Sequence, residues 1–213
     1  MHVDDKLLLD YICKILGIGK VYTYEDKCTF VVSSYKEIQI IIDILTQYRL
    51  NTTKLLNFLD LKKALELYTN NKKTEDVIKE ITNLKDGMNS KRTEFKMPYF
   101  HVPLITKNWL LGFVQGEGSF SVRRATNKFE LLFSISQSAK DQILMDAIKL
   151  FFENLAGTPG SDIVNKSFYK PKGINHQPVI QLVISQKSYI KNVLIPFSLL
   201  NIREKSIWLC LLF

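Results

Sequence analysis

The sequence contains few of the residues that hold a fold together through covalent bonds or metal ions. Its 213 residues include three cysteines and three histidines. Cys13, Cys28 and Cys210 are far apart, form no CxxC pair and belong to no zinc-binding pattern with a histidine. An odd number of separated cysteines argues against a disulfide framework, so we expect reduced thiols in a reducing compartment.

Long apolar runs are also absent. A membrane-spanning helix needs about 18 apolar residues, and the apolar stretch at 207–213 is far too short. The sequence MHVDDKLLLD at 1–10 is acidic. It has neither the basic region of a secretory leader nor the Arg-rich, acid-poor composition of a transit peptide. We therefore expect neither a membrane partner nor a cleaved targeting peptide.

The charge of the chain is unbalanced towards basic residues. There are 29 Lys and Arg against 21 Asp and Glu, which gives a net charge of +8 and an isoelectric point near 9.3. A basic excess suits a polyanionic partner such as nucleic acid, although many basic proteins bind none. Hydrophobic residues make up 46% of the chain, enough for a buried core. Composition therefore indicates a globular protein and leaves nucleic-acid binding open.

The most informative stretch is NWLLGFVQGEGSFSV at 108–122. It starts as a short apolar helix. After a carboxylate flanked by two glycines, it changes to the alternation of polar and apolar residues that is typical of a strand. Gly116 and Gly118 remove side-chain bulk on both sides of Glu117. Another backbone can therefore come close, and the pattern places the carboxylate at a helix end.

The nine residues LLGFVQGEG at 110–118, with SFS at 119–121, are similar to the signature of the LAGLIDADG homing endonucleases and intron maturases. The resemblance implies that Glu117, at the eighth position, is a metal ligand in a catalytic site. Gln115 stands where the signature name has aspartate, a position that is not a metal ligand in the family. The resemblance also implies that two signature helices pack side by side, through Leu111, Gly112, Gln115 and Gly116.

The two halves of the chain repeat one another. FVVSS at 30–34 matches LVISQ at 182–186 with an offset of 152 residues. The fold class that follows is α+β, with two pseudo-symmetric repeats that each form an antiparallel sheet backed by helices. We place an incomplete first repeat at 1–84, a polar linker at 85–107 and a second repeat at 108–213. The signature helix occurs in the second repeat alone, so the resemblance implies that the first repeat lacks its own.

Hydrophobic periodicity predicts the individual elements. The predicted helices cover 6–16, 35–46, 51–68, 74–84, 109–114, 140–155, 187–200 and 204–213. The predicted strands cover 19–24, 28–33, 119–122, 129–137, 162–166 and 179–185. Pro196 should kink or end its helix.

The resemblance implies further polar and basic residues around Glu117 that order water and neutralise phosphate. Gln137 matches one such position, at the end of a predicted strand, and Lys36 matches a basic position of the first repeat. In the second repeat Ser188 takes the equivalent place and Lys187 is beside it, so which lysine serves stays open. A solvated helix N-terminus explains either lysine equally well. The implied cofactor is Mg²⁺ or another divalent metal, which needs only one or two protein carboxylates.

DNA contacts are expected on the polar face of the second sheet. With Phe120 and Val122 facing the core, the alternate residues Ser119, Ser121 and Arg123 face outward. A two-stranded ribbon of this kind fits the major groove. The loop 165–177 combines lysines with aromatic residues, which suits a nucleic-acid backbone. The predicted DNA-binding residues are Ser119, Ser121, Arg123, Lys170, Lys172, Gln181 and Ser185.

Three functions remain open at this point. The first is an intron-encoded, metal-dependent endonuclease that cuts double-stranded DNA at a specific site and promotes intron homing. The second is an RNA maturase that assists splicing of its own group I intron, a role that does not need a second carboxylate. The third is a truncated, inactive relic of either. The resemblance, together with an AT-rich coding bias, implies a fungal mitochondrial protein that acts as a monomeric pseudo-dimer rather than as a homodimer.

Overall fold

The computed structural model describes residues 1–70, 72–126, 128–170 and 177–199. The first half contains a β-hairpin and the helices around it. Its elements, in chain order, are α1 (Lys6–Leu16), β1 (Lys20–Tyr24), β2 (Lys27–Val31), α2 (Tyr35–Gln47), α3 (Lys54–Asn70) and α4 (Glu75–Asp86). The two strands pair antiparallel with Val21 opposite Phe30. Gly17 ends α1 in the left-handed conformation, with φ +66°, which glycine adopts without steric cost.

The second half contains a four-stranded sheet with the strand order β3-β4-β6-β5, in which all neighbours are antiparallel. Its elements are α5 (Lys107–Glu117), β3 (Gly118–Ala125), β4 (Lys128–Ser138), α6 (Gln142–Leu155), β5 (Asn165–Tyr169), β6 (Val179–Ile184), α7 (Lys187–Tyr189) and α8 (Ile195–Leu199). A π-helical turn at Ile190–Leu194 joins α7 to α8.

The main core lies between this sheet and the helices of the second half. Phe133 of β4 contacts Phe152 of α6 with ring centroids 5.9 Å apart, and Phe152 contacts Phe197 of α8 at 6.5 Å. The hydroxyl of Tyr189 donates to the Phe152 carbonyl at 2.6 Å. Burial, with a smaller contribution from the Glu153 charge, raises the pKa of Tyr189 to about 12. One apolar face of the sheet is thus fixed against α6, α7 and α8.

The α+β class with antiparallel sheets backed by helices is confirmed. The repeat is visible in the backbone as well. A three-residue 3₁₀ turn that ends in aspartate precedes α1 at Val3–Asp5 and α6 at Ala139–Asp141. Each helix is followed by a hairpin, β1–β2 or β5–β6, and then by a helical segment.

Several element bounds differ from prediction, most clearly in the second half. The strand expected at 162–166 is β5 at Asn165–Tyr169. The helix expected at 140–155 begins with the 3₁₀ turn. The helix expected at 187–200 contains the π turn directly before Ile195, because Pro196 has no N–H to bond the carbonyl four residues back. The helix expected at 204–213 lies outside the described residues.

Phe120 and Val122 lie on the side of the sheet that was expected to face the core, but neither is buried. Both lie on the helix side of the sheet, and Phe120 contacts Phe133 at 4.9 Å. They are nevertheless 60% and 63% exposed. The reason is that they border an open cavity of about 300 Å³, which Ile190 and Ile195 also line. The described helices therefore cover only part of this face.

Two of the three cysteines lie within the described residues. Cys13 and Cys28 are free thiols, and Cys28 is buried against Leu9 and Ile12. Cys210 lies outside the described residues. Within the described part of the chain, no helix is long and apolar enough to cross a membrane.

Candidate functional site

Glu117 is the last residue of α5, and β3 begins directly after it. The hydroxyl oxygen of Thr106 caps the start of the helix by accepting a hydrogen bond from the Trp109 N–H at 3.2 Å. The run from Trp109 to Val114 is buried and fixes the helix in the core. The last turn emerges at the surface, where Glu117 is exposed. The helix-end position predicted for this carboxylate is therefore found.

Gly118 makes the change from helix to strand possible. Its N–H donates to the Val114 carbonyl. A Cβ at this position would lie 2.5 Å from the Val114 carbonyl oxygen and 3.0 Å from Val114 Cγ1. The distance of 2.5 Å does not allow a side chain unless the backbone shifts, since the atom met there belongs to the helix backbone. The last glycine of the signature therefore allows the close approach of β3 to the end of α5.

Replacing Gly118 by alanine is expected to destabilise the protein by about 1–3 kcal/mol, because the helix end and the strand must separate. The shift would also move the adjacent Glu117. Urea unfolding measures the change in free energy. Gly87→Ala is the matched control, because a Cβ there meets its nearest atoms at an ordinary 3.5 Å. Equal unfolding curves for the two variants would show that the approach at Gly118 is not restrictive.

The electrostatics at the end of α5 favour a cation. The carbonyl groups of a last helical turn have no intrahelical partner, and the helix dipole places negative charge there. The carboxylate of Glu117 adds to this negative potential, and in the described part of the chain it has no hydrogen-bond or ion-pair partner. Carboxylate and carbonyl oxygens are the ligands that Mg²⁺ and Ca²⁺ prefer. The donors at this helix end therefore fit a divalent cation in kind.

The number of protein ligands at this position is small. Among the described residues there is no group of three or more His, Cys, Asp or Glu side chains that could hold a metal. Glu117 is thus a single carboxylate beside backbone oxygens. This arrangement suits a cation that keeps several of its waters, as Mg²⁺ does.

The strand register places Gln137 at the Glu117 end of the sheet. Gly118 is opposite Ile135, so Gln137 lies just beyond the start of β3. Gln137 shares its face with Ile135 and with its partner Ile180, and it is half-buried. Its amide oxygen accepts a hydrogen bond from the Ser138 N–H at 3.3 Å. Gln137 is therefore at the same end of the β3–β4 pair as Glu117. Its side chain belongs to the face that packs against the helices.

The two candidate lysines lie elsewhere. Lys187 begins α7 beyond the other end of β6, where Ile184 pairs with Phe133. Phe133 is four residues, about 13 Å, from Gln137 along β4. Lys36 is exposed in the first turn of α2 in the first half. The structure thus does not bring Lys187 to Gln137, and a catalytic role for either lysine remains a prediction.

The residues expected to contact a second signature helix divide into two pairs. Leu111 and Gly112 are buried, whereas Gln115 and Gly116 are exposed beside Glu117. The exposed last turn of α5 is therefore the part of this surface that another helix end can reach.

The face of the four-stranded sheet opposite the one packed against α6, α7 and α8 is largely polar, and we call it the polar face. Ser119, Ser121 and Arg123 of β3 lie on it, opposite Ser134, Leu132 and Glu130 of β4. Gln181 of β6 lies opposite Ser136, and its amide nitrogen donates to the serine hydroxyl at 3.2 Å. Four of the predicted DNA-binding residues therefore share one surface. Ser167 and Tyr169 of β5 extend it.

The remaining predicted DNA-binding residues lie at the margins. Lys170 is exposed directly after β5, and Ser185 is exposed directly after β6. Lys172 lies outside the described residues. The role of all seven residues in DNA binding remains a prediction.

An ion pair crosses the polar face. The Arg123 guanidinium donates to the Glu130 carboxylate at 2.5 Å from Nη2 and 3.2 Å from Nε, and the Lys128 ammonium lies 3.2 Å from the same carboxylate. The hydrogen bonds from Arg123 and Lys128 hold the pKa of Glu130 below its usual value. Glu130 is therefore a fixed negative charge that engages Arg123. Alternation along β4 places Glu130 on this face, but its pairing with Arg123 depends on the hairpin register, which the sequence alone leaves undefined.

A comparison with protein families decides the relationship of the chain. The family model described as LAGLIDADG endonuclease matches residues 1–65 and 110–202. The chain belongs to the LAGLIDADG endonuclease family. The match includes the signature residues 110–118 and most of the first half of this LAGLIDADG protein.

Curated relatives carry intron-related or mitochondrial names. The probable intron-encoded endonuclease 3 of Neurospora crassa is 28% identical over 220 residues, covering 92% of this chain and 39% of that protein. The uncharacterized mitochondrial protein RF1 of Saccharomyces cerevisiae is 28% identical over 158 residues, covering 72% of this chain and 32% of that protein. This LAGLIDADG chain therefore spans about a third of the length of these relatives.

Solved structures share the fold. I-GzeII in complex with its DNA target has a TM-score of 0.72 at 26% identity, and I-CpaMI bound to uncleaved DNA has 0.75 at 22%. I-SmaMI, bound to an uncleaved DNA target in the presence of calcium ions, has 0.69 at 23%. Each match covers 92% of this chain and 70% of the other. These similarities establish the LAGLIDADG meganuclease fold.

Proposed function

We propose that the protein is an intron-encoded endonuclease that cuts double-stranded DNA at a specific site with the help of a divalent metal. The observation that carries the proposal is the exposed Glu117 carboxylate at the negative end of α5, at the start of the strand that carries the polar face. The neighbours with the same fold are DNA-bound meganucleases, one of them with calcium ions. Family, fold and site chemistry therefore favour the same reaction.

The polar face supplies the DNA-binding surface of this proposal. Serine hydroxyls, the Gln181 amide and the Arg123 guanidinium can bond phosphates or base edges, and a sheet of this kind fits the major groove. Basic residues outnumber acidic ones in the chain, with 29 against 21. The resulting net positive charge attracts the duplex and raises the rate of association. Many modest contacts then add up to affinity for one long site.

Glu117 has the central role in the reaction. A bound divalent metal polarises the scissile phosphate and supplies an activated water. Glu117 would hold that metal beside the phosphate, and the helix-end carbonyls would orient its waters. The polar face would fix the duplex, so that the scissile bond lies at the end of α5. Positioning and charge neutralisation thus account for what the chain itself contributes.

A supercoiled plasmid pool with randomised inserts tests this function without knowledge of the target. The proposal predicts linear plasmid in the presence of Mg²⁺, none in the presence of EDTA, and a shared sequence among the cut inserts. Binding of the pool without nicked or linear product at any concentration of Mg²⁺ or Mn²⁺ would contradict it.

An RNA maturase is the second candidate. In the described part of the chain a single helix ends in the signature carboxylate, and holding structured RNA requires no metal ligand. Glu117→Gln separates the two functions, because splicing assistance should survive the change and DNA cleavage should not. A protein that binds neither nucleic acid would instead be an inactive relic.

The cellular context belongs to the same proposal. The relatives with mitochondrial or intron-encoded names favour a mitochondrial protein whose action promotes intron homing. We expect one polypeptide to provide both DNA-binding halves as a pseudo-dimer, since the chain contains both repeats.

Replacing Glu130 by glutamine is expected to strengthen binding to duplex DNA. The change removes a negative charge from the polar face and releases the Arg123 guanidinium for a phosphate, so the slope of log K against log salt should steepen by about 0.9. Fluorescence anisotropy with a random-sequence 24-base-pair duplex measures both effects. Glu66→Gln is the control, because Glu66 is exposed on α3 of the first half and the change removes the same charge. Equal gains in affinity for both variants would mean that the duplex does not bind to the polar face.

A further inference from the structure

Three buried polar residues of the first half contact the rest of the chain. Asn51, Thr52 and Thr53 directly precede α3 and are at most 8% exposed. Buried polar groups require hydrogen-bond partners. Here the partners include the linker at Leu104 and the turn Ala139–Asp141 of the second half. We call this meeting of 51–53, the linker and the turn the junction.

Asp141 connects the halves within the junction. Its carboxylate is 7% exposed and accepts a hydrogen bond from the Thr53 N–H at 2.6 Å and one from the Thr53 hydroxyl at 3.3 Å. Thr53 lies at the N-terminus of α3, where the helix dipole favours a negative charge. A carboxylate of the second half thus caps a helix of the first half. Both contacts are directional and charge-assisted, so they constrain orientation as well as distance.

The position of Asp141 in its own half does not explain its burial. Asp141 precedes α6 but makes no capping hydrogen bond to that helix. Asp5 holds the equivalent place before α1 and is exposed. The contact with Thr53 is therefore the feature that distinguishes Asp141 from its counterpart.

The linker is held on both sides of the junction. The Asn51 amide nitrogen donates to the Leu104 carbonyl at 3.0 Å, and the Leu104 N–H donates to the Asn51 side-chain oxygen at 2.9 Å. On the other side, the Lys140 ammonium lies 4.6 Å from the centroid of the Phe95 ring. The three segments therefore meet through paired polar contacts.

The junction is also tied to the polar face. The turn Ala139–Asp141 follows β4 directly, and the Ala139 N–H donates to the Pro178 carbonyl, next to β6, at 2.8 Å. A movement of Asp141 against Thr53 would therefore turn the whole sheet against the first half. We propose that Asp141 is a positioning residue that fixes, through Thr53, the angle between the first half and the polar face. Any effect of Asp141 on DNA binding rests on the proposed function. Its effect on the angle between the two halves is independent of that function.

Distances between spin labels test the proposal in the full chain. Labels at the exposed positions Thr82 of α4 and Asn154 of α6, introduced as keto amino acids, leave the cysteines unchanged. In Asp141→Ala we expect a distance distribution about twofold wider than in the parent, because domain motion is the default once an interface is weakened. Circular dichroism should show unchanged helix content. Asp146→Ala, in the helix α6 that follows Asp141 and paired with Lys166 inside the second half, is the control and should keep the narrow distribution.

A wide distribution in Asp141→Ala with a narrow one in Asp146→Ala supports the proposal. Equal distributions in both variants, or a wide distribution in the parent, would overturn it. If Asp141→Ala does not fold, Asp141→Asn replaces it, since asparagine keeps one oxygen for the Thr53 N–H and should give an intermediate width. A width equal to that of the parent would then overturn the proposal.

Adding a random-sequence 24-base-pair duplex separates this inference from the function. If the proposed function is correct, the parent binds the duplex more tightly than Asp141→Ala, because an unconstrained half must be ordered on binding. If the parent does not bind, the DNA proposal fails and the label distances still decide the role of Asp141.

Discussion

Glu117→Gln is expected to reduce metal-dependent DNA cleavage by about 10²- to 10³-fold, as is typical when a preorganised electrostatic group is removed from an active site. The change keeps the size and polarity of the side chain, so the helix and strand on either side should be retained. It removes the only charged ligand that α5 presents to a metal in the described structure. Cleavage of the plasmid pool, followed as the rate of linear product formation, measures the loss.

The same variant should be slightly more stable than the parent. A carboxylate at a helix C-terminus opposes the dipole, so removing its charge should gain about 0.3–1 kcal/mol. Glu75→Gln is the control with the opposite sign, since Glu75 lies in the first turn of α4, where a negative charge is favourable. We expect urea unfolding to show a gain for Glu117→Gln and a loss for Glu75→Gln. A loss of stability in Glu117→Gln would indicate that the carboxylate has a structural partner instead of a metal.

Phe152→Ala is expected to lower the free energy of unfolding by about 3–5 kcal/mol, through lost burial and the cavity that remains. Phe152 is fully buried, and its ring contacts those of Phe133, Phe151 and Phe197. It therefore connects the sheet to α6 and α8. Since domains of this kind are stable by only about 5–15 kcal/mol, the variant should lose a large part of its stability.

Urea unfolding of the purified protein measures this effect. Phe129→Ala provides the matched control, because the same atoms are removed from a side chain that is 72% exposed on the same sheet. The control should differ from the parent by less than about 0.5 kcal/mol, as surface changes usually do. Similar losses in both variants would mean that the outer end of the sheet is as well packed as its centre.

Local patterns in the sequence predicted the parts of the site that depend on neighbouring residues. The change from helical to strand periodicity around Glu117 located the end of α5, and alternation in β3 and β4 assigned Ser119, Ser121 and Arg123 to one face. The repeat predicted the order of elements in both halves. These features follow from the side-chain period, about 3.6 residues in a helix and 2 residues in a strand. Such a period can be recognised within a single segment of the sequence.

Contacts between distant segments could not be predicted. The contact between Asp141 and Thr53 joins residues 88 positions apart, and nothing local in either stretch indicates it. The exposure of Phe120 depends on how much of the sheet the helices cover, which no strand pattern encodes. The π turn before Ile195 likewise depends on how the backbone accommodates Pro196, although a disturbance there was expected.

The most direct test of Glu117 as a metal ligand is to supply Fe²⁺ as the metal and to map where the polypeptide is cut when peroxide and ascorbate generate hydroxyl radicals at the bound ion. We predict cuts confined to the end of α5, near Glu117, that excess Mg²⁺ suppresses and that Glu117→Gln abolishes. Cuts at another position, or cuts near Glu117 that persist in Glu117→Gln, would contradict the assignment of this carboxylate as the metal ligand.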